Sequence, residues 1–314
     1  NINMTLLKVT NAYVSYYGSS FSITGVNLTL EEGEKVVIYG REGCGKTTLL
    51  RALAKLEEYT SGDIYVEGKS LKELCQKELD FGYTFDSSVL SQKDVVADVI
   101  SYPMRLRDVS QSEIDGYLDK VSGELSLPLD SKVSQLSQLQ VALLIIARLF
   151  CVKRRLYLVD DVWKDLPCDE KMQAAEVLAR YLEGKSAVIA TDDIDVYKTL
   201  GIDNIVVLSS GSATMQTTYD RLAKRPTNME SAIFCGYELY IGLLERRGER
   251  YYADIEGSKY QVVKPISDVF VGKKVCFVIK GEESQESAGK LSVVKDVYYD
   301  LQSERIIARG DDNA

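Results

Sequence analysis

Two short stretches hold most of the chemistry this chain can do. Residues 40–47 read GREGCGKT and residues 156–163 read LYLVDDVW. The first fits the pattern GxxxxGK[ST]. Gly40, Gly43 and Gly45 let backbone N–H groups turn toward phosphate oxygens, and a helix start directly after the turn adds a positive dipole end. In this pattern Lys46 reaches the β and γ phosphates of a nucleotide and the Thr47 hydroxyl ligates Mg²⁺. Cys44 and Thr48 sit in or beside the same loop, Cys44 as a small residue there or, on a rival reading, as a redox switch. The bland reading of the whole segment is a Gly-rich turn closing a strand–helix unit. The second stretch runs mostly apolar residues into Asp160 and Asp161, a way to present carboxylates at the rim of a site.

The composition narrows what the carboxylates must do. There is no histidine among the 314 residues. Imidazole acid–base chemistry, Ser–His triads and histidine metal sites are therefore excluded, and any general base is a carboxylate, Lys, Tyr or Cys. The net charge of −9 argues against direct nucleic-acid binding, whose footprint is basic. The six cysteines (Cys44, Cys75, Cys151, Cys168, Cys235, Cys276) include no CxxC pair, as expected in a reducing cytosolic compartment. The apolar run Val141–Ala147 stops at Arg148, far short of the roughly 20 residues that span a bilayer. No signal peptide is expected.

The elements that position these stretches are legible from periodicity. Strands are expected at Leu6–Val9, Val26–Leu30, Lys35–Tyr39, Ile64–Val66, Leu79–Phe85, Leu156–Val159, Ser186–Ala190 and Asn204–Leu208. Helices are expected at Thr47–Leu56, Glu170–Leu182, Ile194–Leu200 and Tyr219–Ala223, with a largely helical stretch from Val95 to Phe150. Within that stretch Ser112 reads as a helix cap, and Val141–Phe150, apolar nearly all round, reads as buried. Strands alternating with helices imply an α/β fold with a mainly parallel sheet. Beyond Asn228 the chain reads as all-β, with strands at Tyr251–Ile255, Tyr260–Val263 and Lys274–Ile279. The expected division is 1–226 and 227–314, with a helical subdomain at about 87–152.

Over essentially its whole length the chain resembles the ATP-binding subunits of ABC transporters. The resemblance rests on the order of several segments. Tyr16 in AYVSYYG resembles the aromatic that stacks on adenine, with Tyr17 the neighbouring alternative. Phe81–Phe85 with Asp86 resembles the segment ending in the Q-loop glutamine. LSQLQ at 136–140 takes the place of the LSGGQ signature, Leu156–Asp161 that of the Walker B strand, Lys164–Pro167 that of the D-loop and Ala190–Asp193 that of the H-loop. Residues 219–236 and 271–280 resemble, more loosely, the entry into the small C-terminal β-domain of importer ATPases, with a generic small β-barrel as the rival. The resemblance implies ATP and Mg²⁺ as cofactors, with Thr47, Asp160 and Asp86 at the metal. It implies a partner ATPase subunit in a homodimer or heterodimer, transmembrane permease subunits, and a cytoplasmic location at the membrane face.

The chain departs from the family at the γ-phosphate. Asp161 stands where the family places the catalytic Glu, Asp86 where it places Gln and Asp192 where it places His. Gln138 and Leu139 replace the signature glycines, leaving Ser137 to face a partner's phosphate, or leaving 136–150 simply a buried helix. Asp161, Asp86 and Asp192 are the expected catalytic positions, and a carboxylate set back by about 1 Å can cost roughly 100-fold in rate. Together with Asp160 these groups are expected to make the pocket acidic, with at least one carboxylate pKa raised and nucleotide binding dependent on Mg²⁺. The function these features imply is an importer subunit that binds Mg–ATP with weak or absent hydrolysis. The rival is a non-catalytic nucleotide-sensing or scaffolding protein, in a membrane or a soluble assembly.

Overall fold

A computed structural model of the chain describes residues 5–15, 22–209, 212–224, 226–262, 268, 271–280, 297–300 and 305–309. Two long antiparallel strands, β1 (Thr5–Ser15) and β2 (Ser22–Glu31), open it. Strand β3 (Lys35–Tyr39) runs into helix α1 (Lys46–Leu53). Next come β4 (Ser61–Val66), β5 (Lys69–Ser70), the short helix α2 (Gln76–Leu79) and strand β6 (Phe81–Tyr83). The expected strand at Leu79–Phe85 is thus shorter. Leu79 closes α2, and Asp80 takes a left-handed turn (φ 45°) that separates helix from strand.

The helical stretch resolves into α3 (Val96–Arg105), α4 (Gln111–Leu125) and α5 (Gln138–Phe150). The cap of α4 is Ser110, not Ser112. Ser110 and Glu113 form a reciprocal capping box, while Asp115, three residues after Ser112, accepts from Gln111 instead. Helix α5 is buried along Ala142–Ala147, as its apolar circumference requires.

The chain then alternates β7 (Leu156–Asp160), α6 (Cys168–Tyr181), β8 (Ala187–Thr191), α7 (Ile194–Leu200) and β9 (Asn204–Ser209). Two-residue strands β10 (Ser212–Ala213) and β11 (Thr217–Thr218) lead to α8 (Tyr219–Lys224). The main sheet has the order β5-β4-β1-β2-β10-β9-β3-β8-β7-β6, with β11 on β9. The run β9-β3-β8-β7-β6 is parallel throughout. Its strands are buried on both faces, which is why they read as unbroken apolar runs rather than alternating ones. Successive residues serve opposite layers: Val37, Val159 and Ile189 meet the layer of α3 to α7, while Val36, Leu158 and Val188 meet α1 and the antiparallel strands.

Beyond Asn228 the chain is not all-β. Helix α9 (Met229–Phe234) comes first, capped by Asn228, which accepts from Ser231 N at 2.9 Å. Asn228 also donates to Val207 O on β9, and Phe234 stacks on Tyr39 with centroids 4.4 Å apart. A helix of one and a half turns is too short for periodicity to reveal, and its packing partners lie far away in sequence. After it, β12 (Tyr237–Arg247), β13 (Arg250–Ile255), β14 (Ser258–Val262), β15 (Lys274–Lys280), β16 (Val297–Asp300) and β17 (Arg305–Arg309) form an antiparallel sheet. Its order is β14-β13-β12-β15-β16-β17.

Candidate functional site

Four neighbouring parallel strands end on the same side of the sheet. From β3 emerges the loop 40–47, from β7 Asp160 and Asp161, from β8 Asp192, and from β6 Thr84, Phe85 and Asp86. Ligand sites of open α/β sheets form at such carboxyl ends, because each strand must leave the sheet there through a loop. Here those loops border one cleft of about 1060 Å³, closed on its far side by residues of the helical segment such as Val133, Gln138 and Ile145.

The loop 40–47 has the geometry of a phosphate cradle. Gly45 caps α1 with φ 102°, and Gly43 has φ 79°. Gly40 has no room for a side chain, since a Cβ there would come within 2.8 Å of Leu208 O and against Cys44 Sγ. Lys46 is buried, and its ammonium donates to Gly40 O at 2.7 Å and Arg41 O at 3.2 Å. Its Nζ lies 3.7 Å from Asp161 Oδ2. Thr47 and Thr48 line the cleft, while Cys44 is buried behind the loop, where burial pushes its thiol pKa up. That environment favours packing over reactivity.

Asp160 is held from two sides. Tyr83 OH donates to Asp160 Oδ2 at 3.2 Å, and Asp160 N donates to Thr84 Oγ1 at 2.8 Å. Its other oxygen, Oδ1, is buried without a protein partner, as is Asp161 Oδ1. Burial raises the Asp160 pKa, and the Thr47 and Tyr83 hydroxyls oppose that rise. Burial, more than the neighbouring Asp192 and Asp160 charges, pushes Asp161 up to about 7, against the pull of Lys46. The backbone at Asp161 is left-handed (φ 44°), a conformation Asp tolerates better than most residues.

The other acidic positions differ in state. Asp86 accepts from Ser88 N at 2.7 Å as the cap of a short 3₁₀ turn, and that bond holds its carboxyl below the usual range. Asp192 lines the cleft next to Thr191, whose Oγ1 accepts from buried Trp163 Nε1 at 3.1 Å. Acidity in the pocket is therefore uneven: two carboxylates are raised by burial and one is stabilised as an anion.

Ser137 sits at the N-terminus of α5 and is engaged in a capping box, with its hydroxyl accepting from Gln140 N and Gln140 Oε1 accepting from Ser137 N. Gln138 lines the cleft and Ser137 does not. Tyr16 and its alternative Tyr17 lie outside the described residues. The structure thus gathers Gly43, Gly45, Lys46, Thr47, Thr48, Asp86, Asp160, Asp161 and Asp192 around one cleft. It adds groups that spacing did not reveal: Tyr83 and Thr84 on Asp160, Trp163 on Thr191, and an ion pair between Glu42 and Lys164. Only the parallel neighbours β6 and β7 bring Tyr83 to Asp160, 77 residues away.

The residues present fit a Mg–nucleotide. Magnesium is commonly held by one or two carboxylates together with substrate phosphates. Asp160 presents an orphaned buried oxygen beside Thr47, and Gly43 and Gly45 turn the loop with positive φ. When bound, Mg²⁺ supplies positive charge to the phosphate oxygens. The residues placed to hold it are Thr47 and Asp160.

Comparison with known proteins agrees with this geometry. The ABC transporter family model matches residues 23–164. The trehalose import ATP-binding protein SugC of Mycobacterium tuberculosis is 30% identical over 226 residues, 71% of this chain. The chain spans 57% of the length of that relative. The alpha-glucoside transport ATP-binding protein AglK of Rhizobium meliloti is 32% identical over 276 residues, covering 85% of this chain and 76% of the relative. The sn-glycerol-3-phosphate import ATP-binding protein UgpC 1 of Rhizobium johnstonii is 28% identical over 305 residues, 93% of this chain and 81% of the relative. In fold the chain is similar to an ATP-binding cassette solved as a dimer with ADP and Pi, at TM-score 0.59 and 24% identity, over 68% of this chain and 98% of that one. With its phosphate loop, its strand-end aspartates and these relatives all in agreement, the chain belongs to the ATP-binding proteins of the ABC transporter family.

Proposed function

We propose that the chain is the ATP-binding subunit of an ABC importer that binds Mg–ATP and turns it over slowly or not at all. The observation that carries this reading is the convergence of Lys46, Thr47 and the orphaned oxygens of Asp160 and Asp161 on one cleft. Lys46 and the amides of residues 43–47 bind the phosphates, and Thr47 and Asp160 hold Mg²⁺. Asp161 orients the attacking water, and Asp192 and Asp86 flank it in place of the family's neutral groups. Two of the relatives are named for import, one of trehalose and one of sn-glycerol-3-phosphate, which supports an importer without fixing one solute.

In this reading residues 1–226 form the nucleotide-binding unit and 227–314 a regulatory or dimerising unit, with α9 at the junction. Partners are a second ATPase subunit, identical or not, and transmembrane permease subunits that hold the chain at the cytoplasmic face. No helix among the described residues is long and apolar enough to cross a membrane. Attachment through partners accords with that. Each composite site of such a dimer joins one phosphate loop to the other subunit's signature, so Ser137 faces the partner's nucleotide.

The test is nucleotide binding with and without Mg²⁺, followed by steady-state phosphate release from the same preparation, with Lys46→Ala as control. Binding that requires Mg²⁺, with weak phosphate release lost in Lys46→Ala, supports the proposal. Tight ATP binding in EDTA contradicts it. A second reading, a nucleotide-sensing scaffold without turnover, is favoured by one observation: Asp86, Asp161 and Asp192 border the same cleft. Mg–ATP binding with no phosphate release from the intact complex selects that reading.

A further inference from the structure

One ion pair bridges the mouth of the cleft. Lys164 Nζ lies 2.6 Å from Glu42 Oε1, joining the phosphate loop to the turn after the aspartate pair. Both residues line the cleft, and their side chains are 49% and 73% exposed. An exposed pair of this kind is weak and exchanges readily for a stronger anion.

The charge around the cleft makes Lys164 significant. Among its described lining residues are six carboxylates and three basic side chains. Lys46 is buried on two loop carbonyls, and Arg51 is paired with Glu57 at 3.1 Å. Lys164 is the remaining cation of this lining, and among the described residues its ion-pair partner is a water-exposed carboxylate of the phosphate loop itself. Its position reaches over the site, for its charge adds to the lowering of the Asp86 pKa and opposes the rise that burial gives Asp160.

We propose that Lys164 is a phosphate-binding residue of this site, held by Glu42 in the nucleotide-free chain and transferred to a terminal phosphate oxygen when Mg–ATP enters. The proposal rests on the Mg–ATP reading above. It gives the pocket a cation near Asp161, and it makes Glu42 a competitor of the γ-phosphate. Both bonds are charge-assisted, but the terminal phosphate carries more negative charge than the single exposed Glu42 carboxylate, so the exchange favours the nucleotide.

The test is calorimetric titration with Mg–ATP and with Mg–ADP of the wild type, Lys164→Gln, Glu42→Gln and the double variant, each first checked for an unchanged melting temperature. Lys164→Gln is expected to weaken ATP about tenfold and ADP less than about twofold. Glu42→Gln is expected to tighten ATP about threefold, a gain that misfolding does not produce. In the double variant the Glu42→Gln gain shrinks, because the lysine it frees is gone. Unchanged ATP affinity in Lys164→Gln, equal losses for ATP and ADP, or weaker ATP binding in Glu42→Gln overturns the proposal while leaving the Mg–ATP reading intact. A wild type that binds no Mg–ATP overturns that reading and this one with it.

Discussion

Lys46 Nζ lies 3.7 Å from Asp161 Oδ2, and the two side chains are only 7% and 11% exposed. The phosphate lysine and the carboxylate expected to orient water are thus neighbours in the free chain. They are not a well-formed pair, because Lys46 spends its short bonds on Gly40 O and Arg41 O.

That relationship sets a pH dependence for the metal-free protein. Burial pushes Asp161 up to about 7, well above its unfolded value. Between those values the folded state binds the extra proton, so stability falls as pH rises from about 4 to about 7. Asp161→Asn is expected to flatten that slope and to raise the melting temperature at neutral pH in EDTA. The gain is on the order of a few kcal/mol at most. Thermal melts across pH check it, and a variant slope as steep as the wild type's counts against this origin.

Lengthening the same side chain should move catalysis. Asp161→Glu returns the carboxylate to the reach the family uses, and phosphate release is expected to rise about tenfold or more. The left-handed backbone at this position (φ 44°) makes Glu slightly less stable there than Asp. Single-turnover phosphate release compares the two proteins directly, with Lys46→Ala setting the zero.

Ser137 has a structural role that is separable from any role across a dimer. Its capping box with Gln140 closes the start of α5. Ser137→Ala is expected to cost about 1 kcal/mol in chemical denaturation of the isolated chain. Ser137→Asp keeps the cap but places an anion toward a partner's phosphate. It is expected to retain stability and lose nucleotide-dependent dimerisation, read by light scattering.

Phe234 ties α9 to the nucleotide-binding core. It is buried against Tyr39, Tyr197 and Tyr219, with ring centroids 4.4, 5.1 and 5.6 Å away. Tyr39 is the last residue of β3 before the phosphate loop. Phe234→Ala is expected to destabilise by about 3 kcal/mol or more. Because Tyr39 adjoins the loop, it is also expected to weaken ATP binding at temperatures where the chain remains folded. Denaturation and binding on the same variant test both halves.

Much of this molecule was readable without coordinates, and for a physical reason. β3 matched its expected span, as did α7, because strands buried on both faces and capped helices leave local signals. The phosphate loop was legible because only glycine tolerates Gly40's crowding and Gly45's φ of 102°. Two serines, Ser110 and Ser112, compete as the cap of α4, and only the Ser110–Glu113 pairing in the folded chain decides between them. Helix α9 escaped notice because one and a half turns carry no period.

By itself the sequence determined the chemistry available here: a loop for phosphate, carboxylates for metal and water, and no imidazole. Those properties depend on residue type and near spacing, which the chain states outright. Tertiary structure alone decided the protonation and partners of those groups. The Asp161 pKa follows from burial, Asp160 is gripped by Tyr83 and Thr84, and Lys164 meets Glu42, 122 residues away in the chain. Each of these depends on parallel strands far apart in the chain ending side by side, and desolvation and long-range pairing are properties of that packing rather than of any local stretch.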